Sequence, residues 1–219
     1  MEEMSRPRTR TLPSLAEALD AHCARLTACR RCGHESQIVP IVSQSRAPRA
    51  MLVGQAPGQT ETTGGKPFAG RAGRTLFRWL ERAGLDEPTA RDLIYIAAIT
   101  RCYPGPHPAG RGDRVPSPAE RARCADWLDD ELRIIRPSVV VPVGRLAIDR
   151  FLGPRPLDAV VGREHAIVGD WGTATAIPLP HPSGASSWVH QSGNRVLLER
   201  ALDLLGECLG TTRGTRSVA

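Results

Sequence analysis

With 219 residues, 41% of them hydrophobic, the chain has the length and apolar content for one large α/β domain or two small ones. Lysine plus arginine outnumber aspartate plus glutamate 29 to 23, with a pI near 9.4, a balance that leans toward a polyanionic partner. No apolar run approaches the ~20 residues that span a bilayer, and "MEEMSRPRTRTLPSL" carries no apolar signal segment, so membrane and secreted classes are set aside and a cytoplasmic protein is expected. Aromatics are scarce, so the core is to be built from Leu, Val, Ile and Ala.

Residues 1–12 read as a disordered tail. Ser14 and Glu17 then form a capping box, and Leu15, Leu19, Cys23 and Leu26 recur at helical spacing. This predicts a first helix running to "CRRCGH" and stopped by Gly33. "RAMLVGQ" (49–55) reads as a buried strand. The glycine-rich "VGQAPGQTETTGGKPFAGRAG" (53–73) follows and holds the chain's single lysine, Lys66. Turns of this kind behind a strand cradle anions on backbone N–H groups. A helix is expected over 73–85, a strand over 93–99, and a helix capped by Ser117 and Glu120 and stopped at Pro137. A third strand (138–144), the short helix "RLAIDRFL", a fourth strand (174–180) and the helix "NRVLLERALDLLGECL" complete the order before a second disordered tail, 211–219. Strands separated by helices predict one three-layer α/β/α domain, residues 13–210, around a four-stranded parallel sheet. Ligands bind beyond the carboxyl ends of such strands. The loops after residues 54, 99, 144 and 180 should therefore line one site.

In a reducing compartment, six cysteines point to metal or cluster ligands, or buried thiols, before disulfides. Cys29 and Cys32 form a C-x2-C pair, Cys102 closes the second strand, and Cys124 sits on the helix after it. Four thiolates suit either zinc or a [4Fe–4S] cluster. Zinc sites more often use two local pairs, and here the later two cysteines are 22 positions apart, which favours the cluster. Cys23, on the apolar stripe of the first helix, and Cys208, among leucines, read as buried thiols.

"GQAPGQTETTGGKPFAGRAG" (54–73) resembles, without a gap, the motif G-E-[AG]-P-G-x-x-E-[DE]-x-x-G-x-P-F-V-G-R-A-G of the uracil-DNA glycosylase superfamily, closest to its iron–sulfur-containing family 4. "HPSGASSW" (181–188) is similar to the family's later H-P motif, "RVPSPAERARC" to the segment before its fourth cluster cysteine, and the four cysteines fall where its ligands stand. The resemblance spans roughly residues 20 to 208. It implies a bacterial, monomeric DNA-repair enzyme that extrudes uracil from DNA and hydrolyses its glycosidic bond. It implies a [4Fe–4S] cluster on Cys29, Cys32, Cys102 and Cys124. Glu61 then takes the position of the catalytic acid that stabilises the cationic sugar and orients water, and His181 donates to the departing base. Phe68 stacks on the base, the backbone of Gly54, Gln55, Ala56 and Gly58 contacts base or phosphate, and Ser183 binds a phosphate. Trp188 is a candidate wedge or packing residue, and Lys66, Arg71, Arg74 and Arg195 flank the motif loops as DNA contacts.

The chain departs from the family pattern at three positions. Ala98 stands where the family has an asparagine that reads the uracil edge, Gln55 replaces the first motif glutamate, and Thr62 replaces the second acid of the pair. The resemblance then implies uracil as the best substrate with weaker discrimination, as in family 5. A second class is a non-catalytic or DNA-trapping relative, whose inserted basic loop has no counterpart in "GRAGRTLFRWL". A third, a zinc-stabilised nucleotide-binding protein, lacks its G-K-[ST] motif, because Pro67 follows Lys66.

Overall fold

The computed structural model describes residues 12–32, 38–110, 112–183 and 187–211. Residues 1–11 and 212–219 of the expected tails, Gly33, and residues 184–186 of the H-P motif lie outside the described residues. Five strands, β1 (Ala50–Gly54), β2 (Ile94–Ala98), β3 (Val139–Pro142), β4 (His165–Gly169) and β5 (Gly172–Ala176), form one sheet in the order β2-β1-β3-β5-β4. β1 pairs in parallel with β2 and β3, and β3 with β5. Among the described residues only β4 is antiparallel, on β5. The expected four-stranded parallel sheet is thus corrected to five strands with an antiparallel edge. β4 is short and half-solvated: Ile167 alone is buried, and Val168 faces solvent. It is joined to β5 through the two-residue turn Asp170–Trp171.

The central strands are apolar on both faces, as a sheet covered on both sides requires. Ala50, Leu52, Ile94, Ile96, Val139 and Val141 pack on one side with α3 (Arg71–Arg82), α4 (Glu87–Leu93) and α8 (Ser192–Leu209). Met51, Val53, Tyr95, Ala97 and Val140 pack on the other with α1 (Leu15–Thr27), α5 (Pro118–Ile135) and α6 (Arg145–Leu152). Two short helices, α2 (Gln59–Gly64) and α7 (Leu157–Val160), complete the set among the described residues. The capping boxes at Ser14 and Ser117 form as expected.

Two boundaries differ in ways that matter. α1 stops at Thr27, well before Gly33. The Thr27 hydroxyl donates to the Cys23 carbonyl at 2.8 Å, and the Arg30 guanidinium donates to the carbonyls of Thr27 and Cys29 at 2.9 and 2.8 Å. Side chains thereby satisfy the helix's last acceptors, and the C-x2-C pair stands outside the helix. At the other end, Thr211 is docked rather than loose, its hydroxyl donating to the Ala83 carbonyl at 2.7 Å.

Candidate active site

β1 and β2 end in register, with Gly54 opposite Ala98. Beyond that end lies a small recess, partly open to solvent. Gly54, Ala56, Glu61, Phe68 and Ala98 wall it, all of them expected site residues. Pro57, Pro67, Ile41, Ile96 and Arg101 also line it and were not anticipated. The Phe68 ring rests over Gly54, where a methyl group would lie 3.2 Å from Cζ. Phe68 itself has φ +54°, a left-handed conformation that bulky residues avoid. The loop is held there by Arg91, which donates to the Pro67 carbonyl at 3.0 Å while its guanidinium stacks on Phe77. Strain maintained at a ring that faces a recess is the kind found at ligand clamps.

Glu61 is buried in the first turn of α2, and its Oε2 accepts the Gly58 N–H at 2.7 Å. It is therefore a helix cap and a wall of the recess at once. Among the described residues no hydrogen bond reaches its Oε1. A second carboxylate stands close by: a methyl group on Gly58 would lie 2.8 Å from Glu61 Oε2 and 3.0 Å from Asp113 Oδ2. Nothing in the motif spacing points to Asp113, which arrives from the long loop between β2 and α5.

His181 comes from a different strand end. Leu179 bridges Val143 beyond β5 and β3 and delivers His181 onto Gly144. The ring packs where a side chain of residue 144 would be, with Cδ2 3.0 Å from that position. The Ser183 N–H donates to His181 Nδ1 at 3.2 Å. Nδ1 being an acceptor, the neutral ring carries its proton on Nε2. Burial lowers the His181 pKa from the usual imidazole value and so favours the neutral form. His181, Ser183, Gln55 and Gly58 are not among the walls of the recess. The Gln55 carbonyl instead accepts the Thr100 N–H at 3.2 Å, tying the ends of β1 and β2 together.

Arg71 and Arg74 are exposed on the first turn of α3, Arg195 is exposed near the start of α8, and Lys66 is half-buried. None of the four is in an ion pair among the described residues. Trp188 is half-buried in the turn Ser187–His190 and packs against the main core, with its carbonyl accepting from Asn194 at 2.9 Å.

Cys29, Cys32, Cys102 and Cys124 open onto one cavity, with Arg30, Arg31 and Arg123 around it. Burial and the neighbouring sulfurs of Cys124, Cys32 and Cys29 push the Cys102 thiol up to about 12. Burial also raises Cys124, against the pull of Arg101. Thiolates so close together require positive charge among them. Among the described residues no three Cys, His, Asp or Glu side chains converge as on a single ion. The ligands of an iron–sulfur cube each bind a different iron and stand further apart, so four thiolates flanked by arginines suit a [4Fe–4S] group. Cys23 is a buried thiol, its Sγ 3.6 Å from the Tyr95 hydroxyl. Cys208 is corrected to exposed: it lies off the buried Leu205–Leu209 stripe of α8, and its Sγ donates to Glu164 at 3.3 Å.

Arg101 lines both cavities and stands between them. Its guanidinium is buried in an ion pair with Glu131, which is fully buried. Glu131 Oε1 also accepts the Tyr95 hydroxyl at 2.8 Å and lies 3.3 Å from His22 Nε2.

Residues 42–205 match the family model of the Uracil DNA glycosylase superfamily. The chain is 31% identical over 175 residues to the Type-4 uracil-DNA glycosylase of Thermotoga maritima, covering 79% of this chain and 84% of the relative. It is 36% identical over 134 residues to the Type-4 uracil-DNA glycosylase of Archaeoglobus fulgidus, covering 60% and 62%. The Type-5 uracil-DNA glycosylase of Mycobacterium tuberculosis is 34% identical over 118 residues, covering 47% and 41%.

Proposed function

Because the chain belongs to the uracil-DNA glycosylase superfamily, we propose that it is a DNA-repair hydrolase that removes uracil from DNA and leaves an abasic site. The base is extruded into the recess and stacks on Phe68. As the C1′–N1 bond breaks, its electrons leave with the base and the sugar becomes cationic. Glu61 faces that charge and orients the water that attacks C1′. The neutral His181 donates its Nε2 proton in a hydrogen bond to the base carbonyl, where negative charge develops. Backbone N–H groups of the Gly54–Gly58 turn and the Ser183 hydroxyl bind base or phosphate, while Lys66, Arg71, Arg74 and Arg195 hold the strand. Cys29, Cys32, Cys102 and Cys124 hold a [4Fe–4S] cluster, which when bound cross-links three chain segments and takes no redox part in hydrolysis. The observation that carries this reading is a buried carboxylate, Glu61, in the wall of the same recess as a strained aromatic, Phe68, at the carboxyl edge of the sheet.

The test is incubation of the purified protein with a uracil-containing oligonucleotide, then alkali, which cleaves at abasic sites. Glu61→Gln and His181→Ala should each slow release by ~10²–10³ while DNA binding survives. Both variants acting at the wild-type rate would overturn the assignment.

Base choice is the second part of the proposal. A site that hydrogen-bonds a polar edge rejects analogues that leave its groups unpaired, and Ala98 offers no such group. Uracil is the best substrate, with some release of another deaminated base such as hypoxanthine. Ala98→Asn should sharpen the preference in a panel of single-turnover rates on uracil, hypoxanthine, xanthine and thymine. Strict action on uracil alone by the native protein would remove residue 98 as a determinant.

A further inference from the structure

We infer that Asp113 is a second catalytic carboxylate of this site, taking the proton of the water that Glu61 orients. The inference rests on the glycosylase reading above. Its first support is position. The carboxylates of Glu61 and Asp113 approach one point over Gly58, at 2.8 and 3.0 Å, and only the absence of a side chain at residue 58 leaves that point free. Two anions this close repel each other and repel a DNA backbone. Such a pair is useful where a reaction creates positive charge, as at an oxocarbenium-like sugar.

The second support is that the Asp113 loop is anchored. Pro106 and Asp113 form an antiparallel bridge, the His107 N–H donates to the Gly112 carbonyl at 2.8 Å, and the Arg114 N–H donates to the Gly105 carbonyl at 3.1 Å. The Arg114 guanidinium clamps both oxygens of Glu120, at 2.7 and 2.6 Å, and Glu120 in turn caps α5. Asp113 is thus fixed by its neighbour to the start of a long helix. The Tyr103 phenol lies beside the Asp113 carboxylate.

The two acids differ in a way that divides the labour. Glu61 is buried with one oxygen occupied by the Gly58 N–H, whereas Asp113 is exposed to the solvent from which water comes and to which a proton must go. The C1′–N1 electron pair leaves with the base. The water oxygen bonds to C1′ and one of its protons passes to Asp113 and then to solvent. The released base anion takes a proton from solvent, and the balance closes without a further reactant.

The test compares Asp113→Asn, Glu61→Gln and the double variant of the full chain by single-turnover rates, DNA affinity and melting temperature. Asp113→Asn should slow release at saturating protein by ~10²-fold or more, the low end of general-base effects. Its melting temperature should hold, and its DNA affinity should hold or rise because a negative charge has left the DNA face. The double variant should be within about threefold of Glu61→Gln alone, since both groups serve one water. Three results would overturn the inference: Asp113→Asn at or above the wild-type rate while Glu61→Gln is impaired, a rate loss tracked by lost melting temperature, or losses that multiply. Glu61→Gln at full rate would instead overturn the glycosylase reading on which this one stands.

Discussion

Gly144 shows how one missing side chain leaves room for another, the His181 ring. Its φ of +83° and its contact with the His181 ring leave no strain-free place for a methyl group. Gly144→Ala should cost about 1 kcal/mol or more of stability and displace His181, so release should slow nearly as far as in His181→Ala. Melting and single-turnover rate together check this. His181 also sets a pH dependence. Its pKa is lowered by burial, so below the ordinary imidazole value of ~6.5 the unfolded chain binds a proton that the folded chain resists. The stability from this group is complete above that value and is lost as pH falls toward the lowered folded pKa. Melting followed from pH 8 to pH 5 should show that loss, and His181→Ala should remove it.

At the scale of elements, the cysteine cavity joins the chain after α1 to the end of β2 and the first half of α5. Chelation of the proposed cluster should lower the melting temperature and slow base release, with about four irons lost per chain. A colourless protein with stoichiometric zinc would contradict the cluster. Much of this arrangement that could be read from sequence is local, whereas the four cysteines, spread from Cys29 to Cys124, were read from the family resemblance. Glu61 and Phe68 lie in one ungapped motif, and the capping boxes at Ser14 and Ser117 need only four residues each. β4 could not be read so, because an edge strand with one buried residue has neither the alternation nor the apolar run of a covered strand. Gly169-Asp170-Trp171-Gly172 was its one local sign. Asp113 was invisible for another reason: it meets Glu61 only when a loop from the far side of β2 folds back across the motif, and no local spacing encodes that contact.

Over the whole molecule the formal charge is +6, and nearly all of the cations are arginines. Arg71, Arg74 and Arg195 remain exposed and unpaired among the described residues, close to the two motif loops. DNA affinity should therefore fall as salt rises, with log K linear in log salt, because each neutralised phosphate releases condensed counterions. Replacing Arg71 and Arg74 by alanine should weaken binding uniformly across sequences and reduce the salt slope by about 2. A titration between about 50 and 200 mM salt is sufficient, and a slope unchanged by the double replacement would place the DNA on another face.

Arg101 carries a consequence for descent. It is the shared wall of the two cavities, and its charge is balanced by Glu131, with Tyr95 and His22 on the same carboxylate. Losing either partner alone would strand a buried charge at a cost of about 3–5 kcal/mol, whereas exchanging the set for well-packed apolar groups would not. Positions 95, 101 and 131 should therefore be inherited as a block. Lineages that abandon the arginine should be found to have abandoned the glutamate as well, and a lineage that gives up the cysteines is the first place to look.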